Sequence, residues 1–155
     1  MPDLLARLSQ PGILIADGAT GTMLQQAGLP AGAAPERWNL ENPDAIRALH
    51  RGYLEAGSDL ILTNTFGGSS VKLDRDGLSA QASQINHTAA VIAREMAGTG
   101  HFVCGDIGPT GKLMQPYGPL SYTAAVETFA EQAAGLAAGG ADAIWIETMS
   151  DLNEA

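Results

Sequence analysis

Four short apolar runs, at residues 13–16, 60–65, 102–106 and 143–147, recur along the chain at intervals of about forty residues, and each leads into small, polar or acidic residues and then a helical pattern. The intervening segments carry apolar side chains at three- and four-residue spacing. They predict helices over about 44–56 (Ile46, Leu49, Tyr53, Leu54), 80–96 (Ile85, Ala89, Ile92, Met96) and 123–138 (Val126, Phe129, Ala133, Leu136). Two joints match: Ala56-Gly57-Ser58-Asp59 and Gly139-Gly140-Ala141-Asp142 each end a helix with glycine and re-enter an apolar run through an acidic residue. Near-continuous apolar strands alternating with helices imply a parallel sheet covered on its outer side, either a (βα) barrel or a doubly wound sheet.

Length narrows the choice. A complete (βα)8 barrel needs about 250 residues, whereas four βα units fill these 155. The expectation is an α/β chain covering about the first four units of a TIM barrel, residues 1–155 forming one half-barrel. Residues 150–155 read as the first turn of the next helix, with Ser150 or Asp151 as N-cap. Ending there exposes a sheet edge, so self-association through that edge is an expected alternative to a fragment.

A hydrophobic fraction of 45% with 16% charged residues fits one globular unit with a sizeable core. A net charge of −9 lacks the basic footprint that a nucleic-acid or acidic-membrane partner requires. No apolar run reaches the ~18 residues of a membrane span, and the start lacks a secretory core, so the expected compartment is the cytoplasm. The lone cysteine, Cys104, reads as a buried strand residue, and no Cys/His cluster has metal-ligand spacing. His50 and His87 fall on helices in solvated or half-packed roles, and His101 opens a strand. Trp145, between isoleucines, reads as core; Trp38 reads as a loop residue covering the barrel mouth.

In parallel βα proteins, chemistry sits at the C-terminal strand ends. Those ends carry Asp17 with Gly18, Ala19, Thr20 and Gly21; Thr63, Asn64 and Thr65; Asp106 with the 107–111 loop; and Glu147 with Thr148 and Met149. A carboxylate beside the free N–H groups of a glycine turn and helix start suits a ligand bearing both an ammonium and a carboxylate, that is, an amino acid. Each also has a structural reading. Asp17-Gly18 is a common turn pair, and Glu147 could serve only to start a helix.

The series Asp17-Gly18-Ala19-Thr20-Gly21-Thr22-Met23-Leu24-Gln25, Glu36-Arg37-Trp38-Asn39-Leu40, Leu62-Thr63-Asn64-Thr65-Phe66, Gly105-Asp106-Ile107-Gly108-Pro109-Thr110-Gly111 and Ile146-Glu147-Thr148-Met149 resembles the homocysteine S-methyltransferase family, over essentially the whole chain and in order. The resemblance implies a (βα)8 barrel that binds homocysteine at its C-terminal mouth and uses zinc to activate the sulfur. It implies that Asp17 and Glu147 hold the substrate's amino group, that the backbone of Gly18, Ala19, Thr20 and Gly21 receives its carboxylate, and that Thr63, Asn64 and Thr65 line the same mouth. The family's zinc ligands are cysteines on later strands, beyond Ala155, and Cys104 matches none of them. Betaine-using members place a tyrosine where this chain has Gly67, so a folate or corrinoid methyl donor is expected, with S-methylmethionine as an alternative. Outside the family, a non-catalytic self-assembling half-barrel and a barrel lyase or aldolase using Asp106 and Glu147 stay open. Lys72 and Lys112, assigned to loops, leave the aldolase reading without a strand-end lysine.

Overall fold

A computed structural model of the chain describes residues 3–155. The chain opens on α1 (Leu4–Leu8), capped by the Asp3 carboxylate, and reaches α2 (Gly21–Gln26), α3 (Trp38–Glu41) and α4 (Pro43–Glu55). There follow β1 (Leu60–Leu62), α5 (Ser70–Leu73), α6 (Ala82–Ala97), β2 (Phe102–Ile107), α7 (Tyr122–Ala138) and β3 (Ala143–Ile146). The three long helices lie within two residues of the positions that apolar spacing predicts. The strands are parallel in the order β1-β2-β3, in a register that sets Leu62 beside Cys104 and Asp106 beside Trp145.

One sheet face packs on helices. Ile61 and Val103 meet Ala93 and Ala97 of α6, while Ile107 meets Leu136 of α7. At Gly105 an added Cβ would lie 2.9 Å from Leu136 Cδ1, so the glycine admits α7 close to the sheet. Leu60, Phe102 and Cys104 form the opposite face with Leu14, Ala16 and Ala143. Alternation along β2 therefore sends Cys104 and Asp106 away from the helices, to the side a barrel would enclose. Among the described residues no helix is long and apolar enough to cross a membrane.

Three expectations are corrected. The first apolar run forms a single parallel bridge, Ala16 to Leu60, in place of a strand. Asp17 N donates to Leu60 O at 3.1 Å and Asp59 N to Ile15 O at 2.7 Å, but Ile13 is 85% exposed with nothing packed on it. Trp145 is 40% exposed because β3 pairs only with β2 and forms the sheet edge. Trp38 covers no mouth; it is buried at the start of α3 among Leu24, Leu29, Ile46 and Leu49, in a second core behind the sheet. Residues 151–155 form a single turn capped as expected by Asp151, whose backbone oxygen accepts from Ala155 N at 3.3 Å and whose Oδ1 accepts from Asn153 N at 2.9 Å. Glu154 folds back from that turn to accept from Thr110 N at 2.8 Å.

His50 also differs from its expected solvated or half-packed role. It is buried in α4 with neither ring nitrogen partnered, and burial lowers its pKa to about 4. It is a neutral core residue. Cys104 is buried as expected, and burial pushes its thiol up to about 11.

Candidate active site

A cavity of about 490 Å³ opens at the C-terminal ends of the strands. Asp17, Asp106 and Glu147 line it together, with Gly18, Ala19, Thr20 and Gly21 along one wall and Asn64 and Phe66 along another. Side chains separated by 130 residues of sequence thus meet at one mouth, because Asp17 follows the parallel bridge at Ala16 and Glu147 follows β3 at the same C-terminal end of the sheet.

The glycine turn is held from below. Tyr53 of α4 donates its hydroxyl to Ala19 O at 2.9 Å, and its ring fills the space where a Gly18 side chain would stand. The amides of Gly18, Ala19 and Thr20 make no backbone hydrogen bond to another element. Asp17 itself is tied to the sheet, because Leu62 N donates to its Oδ2 at 3.0 Å. Its Oδ1 is buried with no protein partner, and burial, reinforced by repulsion from Glu147, raises its pKa to about 6.

Asp106 is more enclosed. It is 6% exposed, and its Oδ1 is buried and unpartnered. Burial, followed by repulsion from Glu147, Asp17 and Glu36, pushes its pKa up to about 7. Its backbone is fixed from both sides: Asp106 N donates to Thr63 Oγ1 at 3.0 Å, and Asp106 O accepts from Thr65 Oγ1 at 2.7 Å. Those hydroxyls lie 2.5 Å apart. Thr63 and Thr65 are buried and do not line the cavity. Their position explains what they do: they hold the strand that presents Asp106. Asn64 lines the mouth, but its amide is engaged by Pro35 O at 2.8 Å and Asn39 Oδ1 at 3.2 Å, so it ties the 35–39 segment to β1.

Several wall residues carry no local signal. Glu36 is 5% exposed, and its Oε1 accepts from Gly67 N at 2.6 Å, a partner 31 residues away; burial raises its pKa. Lys72, expected in a loop, lies on α5 and lines the cavity near Glu36. Beneath them Asn86 donates to Gly68 O at 2.7 Å and Gln132 to Thr65 O at 2.8 Å, fixing the turn after β1. A polar pattern on an otherwise apolar helix face, Asn86 on α6 and Gln132 on α7, is the sequence trace of that support.

Among the described residues no three His, Cys, Asp or Glu side chains group closely enough to hold a metal ion. Cys104 is a poor donor where it stands, being buried on the inner sheet face with its thiol held protonated. The donor set present does not fit zinc.

Parallel βα units with carboxylates gathered at the C-terminal ends of their strands define an α/β protein with a parallel sheet. The chain belongs to the homocysteine S-methyltransferase family, whose model matches residues 14–155. It is 35% identical, over 162 aligned positions, to methionine synthase of Mycobacterium leprae (strain TN) and equally to that of Mycobacterium tuberculosis (strain ATCC 25618 / H37Rv); each alignment covers 97% of this chain and 13% of the relative. In fold it is similar to the homocysteine methyltransferase MmuM from Escherichia coli, with a TM-score of 0.84 and 24% identity to the metallated form and 0.82 and 25% to the oxidized form. Both superpositions cover 99% of this chain and 59% of the other. The chain thus spans under two thirds of the length of these relatives. The α/β fold with its parallel sheet and the family are as the sequence motifs imply.

Proposed function

We propose that this chain binds the amino-acid end of homocysteine for methyl transfer to its sulfur, giving methionine. The observation that carries the reading is the convergence of Asp17, Glu147 and the Gly18 to Gly21 turn on one cavity. Asp17 and Glu147 accept from the ammonium group, and the amides of the turn receive the carboxylate. Residues 1–155 position the substrate. Zinc, which lowers the pKa of a coordinated thiol, would need thiolate donors other than the residues described, which form no such site.

Gly67 bears on the methyl donor. An added Cβ there would lie 2.8 Å from Glu36 Oε1, so an aromatic side chain placed to cage a quaternary ammonium would have to displace the buried Glu36 carboxylate from the Gly67 amide. A folate or corrinoid donor suits this mouth better than betaine, with S-methylmethionine as the alternative. The exposed edge of β3, with Ile144, Trp145 and Ile146, favours a second reading, pairing between two copies of the chain. Light scattering decides that point, and a monomer removes it.

Asp17→Ala and Glu147→Ala in the active full-length protein are each expected to weaken homocysteine binding by roughly 1.5–3 kcal/mol, the scale of a lost charged hydrogen bond. Calorimetric titration reads this directly. Wild-type affinity in both variants rejects the assignment.

A further inference from the structure

Asp106 has no role in the proposed substrate contacts, yet it is the most deeply buried acid of the three at the mouth. Two oxygens of that cluster, Asp17 Oδ1 and Asp106 Oδ1, are buried without a protein partner, and both residues line the cavity. An ionised carboxylate oxygen buried without a donor is costly, and Glu147 is a third acid at the same opening that repels both. The cluster therefore needs a compensating positive charge or a bound proton. A metal ion does not fit, because the three side chains do not close to metal-binding distances. A primary ammonium supplies what the cluster lacks, a full positive charge and three N–H donors.

We infer that Asp106 is the third acceptor of the ligand's ammonium group, completing a cradle with Asp17 and Glu147, and that the cradle releases a proton to solvent when the ammonium enters. This rests on the amino-acid reading of the site. In the empty cradle Asp106 holds its proton as a neutral acid. As the ammonium arrives with its three hydrogens, the Asp106 O–H bond breaks, its electron pair stays on the carboxylate, and H⁺ leaves to buffer. No group is oxidised or reduced.

The groups facing Asp106 decide the sign. Asp17 from the first apolar segment, Glu147 after β3 and Glu36 before α3 are acidic and favour its neutral form. Lys72 on α5 and Arg75 in the following turn are the cavity's cations; neither is among the groups perturbing Asp106. An entering ammonium reverses that balance.

L-Methionine is the suitable probe because it has the same amino-acid end without an ionisable thiol, so protons released on binding do not come from sulfur. Titration calorimetry of the full-length protein in phosphate and in Tris gives the proton count from the difference in apparent enthalpy. The expected release is about half a proton per methionine at pH 7, falling toward zero at pH 8 and rising at pH 6, where Asp17 adds a share of its own. Asp106→Asn should bind methionine roughly tenfold more weakly and lose most of the release seen at pH 7. Binding of methionine with no release from the wild type overturns the proposal and leaves the amino-acid reading intact, as does release at pH 7 that persists undiminished in Asp106→Asn. Equal binding of 4-(methylsulfanyl)butanoate, which lacks the amino group, overturns both, and so does no binding of methionine at all.

Discussion

Asp106→Asn is expected to make the protein more stable at pH 8 than the wild type while leaving it nearly unchanged at pH 4. In the wild type, the Asp106 carboxyl ionises only near pH 7 in the folded chain, against about 3.8 when unfolded. Between those values the folded state binds more protons than the unfolded state, so this residue's contribution to stability falls as pH rises through the window and is constant above it. The full shift corresponds to a penalty on the order of 4 kcal/mol above pH 7. An asparagine of the same shape keeps an imperfectly paired polar group in place but removes the charge, recovering on the order of 1–3 kcal/mol of that penalty. Asp17, with its pKa raised to about 6, contributes in the same direction, whereas His50, lowered to about 4, opposes it between pH 4 and 6.5. The informative quantity is therefore the difference between variant and wild type, read from urea midpoints at pH 4, 6 and 8. A difference that does not grow between pH 4 and 8 would show that Asp106 is ionised without penalty in the folded protein.

That result would place a functional cost at the site, because the variant gains stability by losing an acceptor for the ligand. The same logic describes the mouth as a whole. Charges that destabilise the unliganded protein are tolerated because they match a cation that arrives with the ligand.

Much of this was legible along the chain, and the parts that were not share a cause. Apolar spacing located α4, α6 and α7, because each buries one face on the sheet and repeats every three or four residues. Strand-end position brought out Asp17, Asp106 and Glu147, since a parallel sheet gathers those ends. Local pattern failed where the partner was distant. Thr63 and Thr65 looked like mouth residues, but their hydroxyls meet the backbone of Asp106, over forty residues ahead. Glu36 carries no local mark of burial beside Arg37, but the Gly67 amide draws it into the wall. Trp145 reads as core by its isoleucine neighbours; its exposure depends on which strands pair with β3, a property that no window of sequence contains.

Arg94→Met should cost on the order of 3–4 kcal/mol of stability, the loss typical of a half-buried ion pair left without its cation. Arg94 lies on α6 with its side chain 18% exposed, and its guanidinium spans three segments. Nε donates to Gly140 O at 3.2 Å, Nη1 to Gly98 O at 3.1 Å and His101 O at 3.2 Å, and Nη2 pairs with Asp142 Oδ2. The same carboxylate oxygen accepts from Val103 N at 2.8 Å. One side chain thus joins the end of α6, the entry to β2 and the entry to β3. Methionine keeps the aliphatic stem but leaves Asp142 with a single backbone donor and three carbonyls unpaired. Thermal and urea unfolding would measure the loss. The double variant Arg94→Met/Asp142→Leu, which removes the stranded charge, should recover part of it, as a coupled pair requires. A single variant within 1 kcal/mol of wild type would mean that the pair is as weak as a surface bridge. Because the joint at Asp142 immediately precedes β3, whose register against β2 positions Glu147, the single variant should also weaken homocysteine binding in the active full-length protein although Arg94 lies outside the cavity wall.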